Sequence, residues 1–332
     1  MANILPISAV IPTRNRSQPL ARTLQSLSQQ SLQPVEIVVV DGSSDDSTQN
    51  LCQSEIPGLR TKIKYYRASE IGAATQRNQA MIYASQNVIW LMDDDILLEP
   101  ECLARLWAAL QSDPLIGGVN TMITNQRYLP PGQISRRLFH FLHGRSENSY
   151  AGKCIGPALN LLPEDNPNLP EIVPVEWLNT TCTLYRKEAL PEPLFPDNFT
   201  GYSLMEDVAL SLMVGKQWKL VNARTSRIFH DSQPGDHKND MGFLAKMELV
   251  NRHYVMTQIL GRVSLKDYFK LAIIELFRIG ALIYSSGGWK SLPVTLVGKL
   301  LAVFEVISSV NTFASSKKLV DTNTITDKEY HL

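Results

Sequence analysis

The chain has 332 residues, 44% hydrophobic and 19% charged, which excludes a disordered chain and allows one large domain with additions, or two. Its 32 basic and 32 acidic residues cancel, so no global field draws nucleic acid or acidic polymers, and an anionic ligand has to be held locally. The cysteines, Cys52, Cys102, Cys154 and Cys182, form no metal-spaced cluster and fit core packing in a reducing compartment.

From the N-terminus, Met1 to Pro6 has no basic n-region or long apolar h-region, which predicts a cytoplasmic rather than a secreted protein. Ile7 to Ile11 is a short β-rich run ending in Pro12-Thr13-Arg14-Asn15-Arg16, and Pro19 then opens a helix with Leu20, Leu24 and Leu27 at helical spacing. Val35 to Val40 reads as a second buried strand, ending on Asp41-Gly42-Ser43, where Gly42 permits a tight turn. Ile63 to Tyr66 makes a weaker third strand, followed by small residues from Ile71 and a helix to Ser85. Val88 to Met92 is the fourth, an apolar run that stops on Asp93, Asp94 and Asp95. Adjacent carboxylates repel one another and a helix cap needs one Asp, so a compensating cation is expected at this strand end.

Strands alternating with helices predict an α/β fold with a mostly parallel sheet, in which ligands bind outside the carboxyl ends of the strands. Thr13 to Arg16, Asp41, and Asp93 to Asp95 should therefore line one crevice.

Beyond it, Glu99-Pro100-Glu101 opens a helix through Leu110, and Ile116 to Val119 with Met122-Ile123 reads as another strand. Arg136 to Arg145 mixes basic and aromatic residues, and His140 and His143, with no carboxylate in the segment, suit an amphipathic surface helix. Asn160 to Pro174 is expected as a mobile loop over the site. Trp177 to Tyr185 is strand-like, with a helix starting at Arg186 to Leu190. Met205 to Val214 is an apolar helix whose first turn carries Glu206 and Asp207, either complementing the helix dipole or supplying a general base. His230 ends a short apolar run, where a metal ligand, a phosphate contact and a capped surface histidine all remain open.

Residues 268–284 and 292–310 are apolar but interrupted. On a helical wheel Asp267, Lys270, Glu275 and Arg278 share one side of the first, and Thr295, Lys299 and Glu305 one side of the second. A hairpin packed on the domain, a peripheral membrane contact through 268–310 and a homo-oligomer interface are the three readings. The expected division is a catalytic domain over 1–235, an amphipathic helical extension over 236–315 and a frayed polar tail over 316–332.

Taken together, Ile11 to Arg16, Val38 to Asp45, Ala74 to Asn78 and Leu91 to Asp95, with Glu206-Asp207 as a late acidic motif, resemble the successive motifs of family 2 glycosyltransferases of the GT-A fold. The likeness covers about residues 6–230. It implies an inverting, nucleotide-sugar-dependent transferase that uses a UDP- or GDP-sugar, a hydroxyl acceptor and a divalent cation, Mn²⁺ or Mg²⁺. Position by position, it implies that Pro12, Thr13 and Arg14 border the base and that Asp41 contacts base or ribose. Arg77 would meet the diphosphate or ribose, and Asp93 and Asp94 the donor. Asp93 and Asp95 would flank the ribose and cation, with His230 a further candidate ligand, and Asp207 is the implied base beside Glu206. The chain departs from the family pattern at Trp177 to Arg186, where a glycine-rich turn is usual. It also lacks the Gln-x-x-Arg-Trp motif of processive synthases, so single transfers are expected, on an acceptor that can lie at the cytoplasmic face of a membrane. A nucleotidyltransferase would bring a Gly-rich phosphate loop with a Lys near the N-terminus, which is absent, and a silent sugar-nucleotide-binding scaffold could dispense with Glu206-Asp207.

Overall fold

The computed structural model describes residues 3–233, 240–284 and 288–326, with side chains through 308. In chain order the elements are β1 (Asn3–Thr13), α1 (Ser17–Ser28), β2 (Leu32–Asp41), α2 (Ser47–Gln53), β3 (Lys62–Arg67), α3 (Ala73–Tyr83) and β4 (Val88–Met92). Then come β5 (Ile96–Leu98), α4 (Cys102–Gln111), β6 (Ile116–Ile123), α5 (Gln133–His143), β7 (Cys154–Ile155), β8 (Leu159–Asn160), β9 (Ile172–Val175) and β10 (Cys182–Arg186). The chain continues through α6 (Glu206–Val214), β11 (Lys219–His230), α7 (Met241–Tyr254), α8 (Leu265–Tyr284) and α9 (Gly288–Thr326).

The main sheet runs β3-β2-β1-β4-β10-β6-β11-β5, with β9 added against β11. Its first four strands are parallel, as the alternation predicts, and β10 enters antiparallel between β4 and β6, so the whole sheet is mixed. The strands are apolar throughout because successive side chains feed opposite layers. Ile37, Val39, Trp90 and Met92 pack with Leu20 and Leu24 of α1 and Leu106 of α4 on one face, whereas Val38, Val40, Ile89 and Leu91 pack with Ala80 of α3 and Val208 of α6 on the other.

Four local expectations change. Ile96–Leu98 is a strand, paired antiparallel with Ile228 to His230, and helix α4 starts only at Cys102 because Glu101 is in the left-handed region at φ 62°. The helix expected from Arg186 is a single 3₁₀ turn, Lys187–Ala189, because Leu190 precedes Pro191 and is extended. The segment expected as a mobile loop is tied down: Arg227 holds Asp165 at 3.0 Å and 3.1 Å, and residues from Ile172 form β9 along β11. The backbone of α9 continues to Thr326, into the stretch expected as a frayed tail; residues 327–332 lie outside the described residues.

Helix α9 packs on α7 backbone to backbone, since a Cβ on Gly298 would collide with the Gly242 carbonyl oxygen. Gly298→Ala should therefore destabilise the protein by about 1–3 kcal/mol through overpacking. Urea unfolding measures this, and an unchanged midpoint would show that α9 is not part of the cooperative unit.

Candidate active site

The acidic triplet is split three ways. Asp93, just past β4, donates its backbone N–H to the Thr181 carbonyl and pairs its carboxylate with Arg77 Nη2 at 2.5 Å. Asp94 turns inward, 4% exposed, accepting from Thr13 Oγ1 at 2.6 Å and Arg16 Nη1 at 3.3 Å, while Thr23 Oγ1 donates to its backbone carbonyl. Asp95, equally buried, shares Arg16 Nη1 at 3.2 Å and lies 3.1 Å from His230 Nε2 and 3.2 Å from the Gln233 nitrogen.

These environments set opposite proton affinities. Burial pushes Asp94 up to about 6 against the pull of Thr13 and Arg16. Burial acts on Asp95 in the same direction, but the His230 hydrogen bond and charge, the Gln233 N–H and Arg16 outweigh it and hold Asp95 below the usual carboxylate range.

Ligand atoms of Asp93, Asp95 and His230 lie within 4.8 Å of one another, the group among the described residues that could hold a metal ion. Two hard carboxylate oxygens and one imidazole nitrogen fit a small divalent cation such as Mn²⁺, and Mg²⁺ through the oxygens. Pairing of β5 with β11 opposes His230 to Ile96 and so brings it beside Asp95 in the acidic cluster.

On the other flank the chain from Gly201 to Met205 delivers the late acidic pair. Gly72 and Gly201 approach so closely that a Cβ on Gly72 would meet the Gly201 nitrogen at 3.0 Å, and Ala73 N–H donates to the Gly201 carbonyl. This lays the turn before α6 against the start of α3 and sets Glu206 Oε1 4.0 Å from Arg77 Nη1. Arg77 is 2% exposed, and its Nε and Nη1 have no hydrogen-bond partner, so buried donors are available to an anionic ligand. Desolvation first, and mutual repulsion with Asp207 second, push Glu206 up to about 8. Desolvation pushes Asp207 up to about 6 against the Val208 N–H and Arg77, and the two titrate as a pair.

The expected base-binding residues lie at the ends of β1 and β2. Pro12 and Thr13 sit opposite Val40 and Asp41 and are buried; Arg14 is exposed. Asp41 is fully buried with both oxygens occupied, Oδ1 by the Ser43 N–H and hydroxyl and Oδ2 by Tyr65 at 2.9 Å and Arg67 at 3.5 Å. It thus shapes the Gly42 turn. Sequence reasoning assigned no role to Gln76, 3% exposed, whose amide donates to the Thr13 and Val40 carbonyls at 2.9 Å and 2.7 Å and whose Oε1 accepts from Gly72 N–H. Nor did it single out Arg16, which bridges Asp94 and Asp95; the only signal was its place in the loop after the first strand.

A mixed central sheet flanked by helices is the GT-A fold. Residues 8–159 match the model of "Glycosyl transferase family 2". Over 137 residues the chain is 31% identical to the PGL/p-HBAD biosynthesis glycosyltransferase of Mycobacterium bovis (strain BCG / Pasteur 1173P2), covering 40% of this chain and 54% of the relative. It thus spans about half the length of those mycobacterial relatives. It is 36% identical over 107 residues to validoxylamine A glucosyltransferase of Streptomyces hygroscopicus subsp. jinggangensis, 31% of this chain and 25% of that one. Among solved structures, the mannosyltransferase PcManGT from Pyrobaculum calidifontis, in complex with GDP-Man and Mn²⁺, superposes with a TM-score of 0.51 at 15% identity, over 93% of this chain and 79% of its own.

Removing one donor from the cluster tests its chemistry. Asp95→Asn should weaken Mn²⁺ binding, read by paramagnetic resonance, by more than about tenfold. It should weaken nucleotide diphosphate binding only when the metal is supplied, and equal metal binding by variant and parent would remove Asp95 from the site.

Proposed function

We propose that the protein transfers a sugar from a nucleotide-diphosphate donor, a UDP- or GDP-sugar, to an acceptor hydroxyl with inversion, one sugar per encounter. The observation that carries the reading is the meeting of two chemistries around Arg77: the Asp93-Asp95-His230 cluster on one side and Glu206-Asp207 on the other. One solved structure of this fold, the mannosyltransferase PcManGT, was captured with a nucleotide sugar and a divalent ion.

Asp93 and Asp95, with His230, would hold Mn²⁺ or Mg²⁺, which supplies positive charge to the departing diphosphate. Arg77 adds its unpaired donors to the same anion. Thr13 and Arg16 keep Asp94 turned inward, and the loop from Pro12 to Arg14 borders the base. Asp207 takes the proton of the acceptor hydroxyl as its oxygen bonds to the anomeric carbon and the bond from that carbon to the diphosphate oxygen breaks. A base with raised proton affinity suits this task, because it accepts a proton more readily while remaining ionised near neutrality. The acceptor is a hydroxyl compound of glycan or glycolipid type, presented in the cytoplasm or at its membrane face, with 268–310 as the contact.

The proton inventory sets the test. Loss of the pair's first proton leaves one negative charge, so kcat should rise as pH climbs through about 6, the value to which Asp207 is raised. Asp207→Asn should leave donor binding intact and lower kcat by about 10²–10⁴. Glu206→Gln should retain most turnover, because Glu206 carries the shared proton near neutrality. Steady-state kinetics decide, and a larger loss from Glu206→Gln would exchange the two roles.

A further inference from the structure

The last helices are amphipathic with their sides reversed. Glu275 of α8 lies 3.2 Å from Arg252 Nε of α7 and 2.6 Å from Lys299 Nζ of α9, while Glu248 of α7 takes Arg278 at 2.5 Å and Lys299 at 3.3 Å. Glu275, Lys299 and Thr295, polar positions of the helical wheel, are all buried. The outward stripe of α8 is instead Leu265, Phe269, Leu276 and Ile283, and that of α9 includes Trp289, Leu300, Phe304 and Ile307, all more than half exposed. In water this arrangement is doubly unfavourable, since charges lose hydration while large apolar side chains keep it. Against a hydrocarbon phase the outward stripes become favourable, and the inward ion pairs keep charge away from lipid.

Within the 21 residues Gly288–Ser308 an 18-residue window reaches a mean hydropathy of 1.6, enough to cross a membrane by length and composition. Packing argues for lying in the interface. One flank of α9 is bound to α7 through Gly298 on Gly242, the Lys299–Glu248 pair and the Lys246–Glu305 pair at 2.7 Å, so only the opposite flank can meet lipid. Helix α5 extends the same surface. Phe141 of α5 meets Phe269 of α8 edge-on with ring centroids 6.3 Å apart, and Lys270 donates to the Leu142 carbonyl. On the same side of α5 as Phe141, at helical spacing, Ile134 and Arg137 are exposed, whereas Arg136 turns to the Asn148 carbonyl. Where α8 ends and α9 begins, Tyr284 is exposed, and Trp289 lies under the Lys290 ammonium at 5.9 Å, residue types that favour the headgroup level.

We propose that α5, α8 and α9 form one bilayer-docking face, with the apolar stripes of α8 and α9 lying in the interface plane and Arg137 of α5 on anionic headgroups. The surface stands whether or not the catalytic reading holds. Joined to that reading, it selects acceptors held in the same bilayer.

Flotation of the full chain with vesicles measures docking without any turnover. The protein should float with phosphatidylcholine–phosphatidylglycerol vesicles and less with phosphatidylcholine alone. Leu300→Glu with Phe304→Glu should abolish flotation with both, and Arg137→Ala should weaken binding to the anionic vesicles about fivefold. In the unsubstituted chain, brominated acyl chains should quench tryptophan emission, and Trp289→Phe should remove most of that quenching. A chain that ignores both vesicles, or still floats fully with the paired Glu substitutions, overturns the proposal. So does a vesicle-indifferent dimer in light scattering that the same substitutions dissociate, which would assign the face to a second copy.

Discussion

The structure depends on how three adjacent negative charges are accommodated at the end of one buried strand. Unit charges about 4 Å apart repel by roughly 4 kcal/mol at the effective dielectric of a protein surface, so Asp93, Asp94 and Asp95 cannot share one environment without partners. Their partners come from distant parts of the chain: Arg77 of α3 for Asp93, Thr13 at the end of β1 for Asp94, His230 at the end of β11 for Asp95, and Arg16 shared by Asp94 and Asp95. Neutralising one tripeptide therefore joins elements spread from residue 13 to residue 230.

Arg77 extends that arrangement across the crevice. Its guanidinium is buried, yet one nitrogen pairs with Asp93 and another lies near Glu206, leaving unpaired donors between the acidic cluster and the start of α6. A buried cation between two acidic groups lowers the cost of holding both in place, and its unpaired donors are a reason for an anion to enter. Raised proton affinity at Glu206 and Asp207 follows from the same geometry: apolar surroundings disfavour charge, each carboxylate repels the other, and one arginine only partly offsets them.

The C-terminal helices solve a different charge problem in the opposite sense. Arg252, Glu248, Glu275 and Lys299 neutralise one another between α7, α8 and α9, and this leaves the apolar stripes outside. Ion pairing inside the helical layer thus determines what the exterior can bind.

Much of this was legible locally. The runs at Ile7 to Ile11, Val35 to Val40 and Val88 to Met92 announced buried parallel strands because β-branched and apolar residues filled both faces, and the crowding of Asp93 to Asp95 marked the site because no strand end needs three charges. The start of α6 with Glu206 and Asp207 was equally plain. Other features were not. Ile96–Leu98 is too short to show a period and becomes a strand only because Ile228 to His230 lies beside it. The same pairing brings His230 beside Asp95 in the acidic cluster. Asp41, expected at the ligand, is saturated by Ser43, Tyr65 and Arg67, and Gln76 gains its role from carbonyls 63 and 36 residues away. The polar stripes at Glu275 and Lys299 were visible on the wheel, but not that they face inward. Periodicity and charge density are properties of neighbouring residues, so the sequence alone determined the main strands, the helix carrying the late acidic pair and the position of the charge cluster. Which charges meet, and which face of a helix is covered, depends on strand order and helix packing between distant segments, and only the tertiary structure decided those.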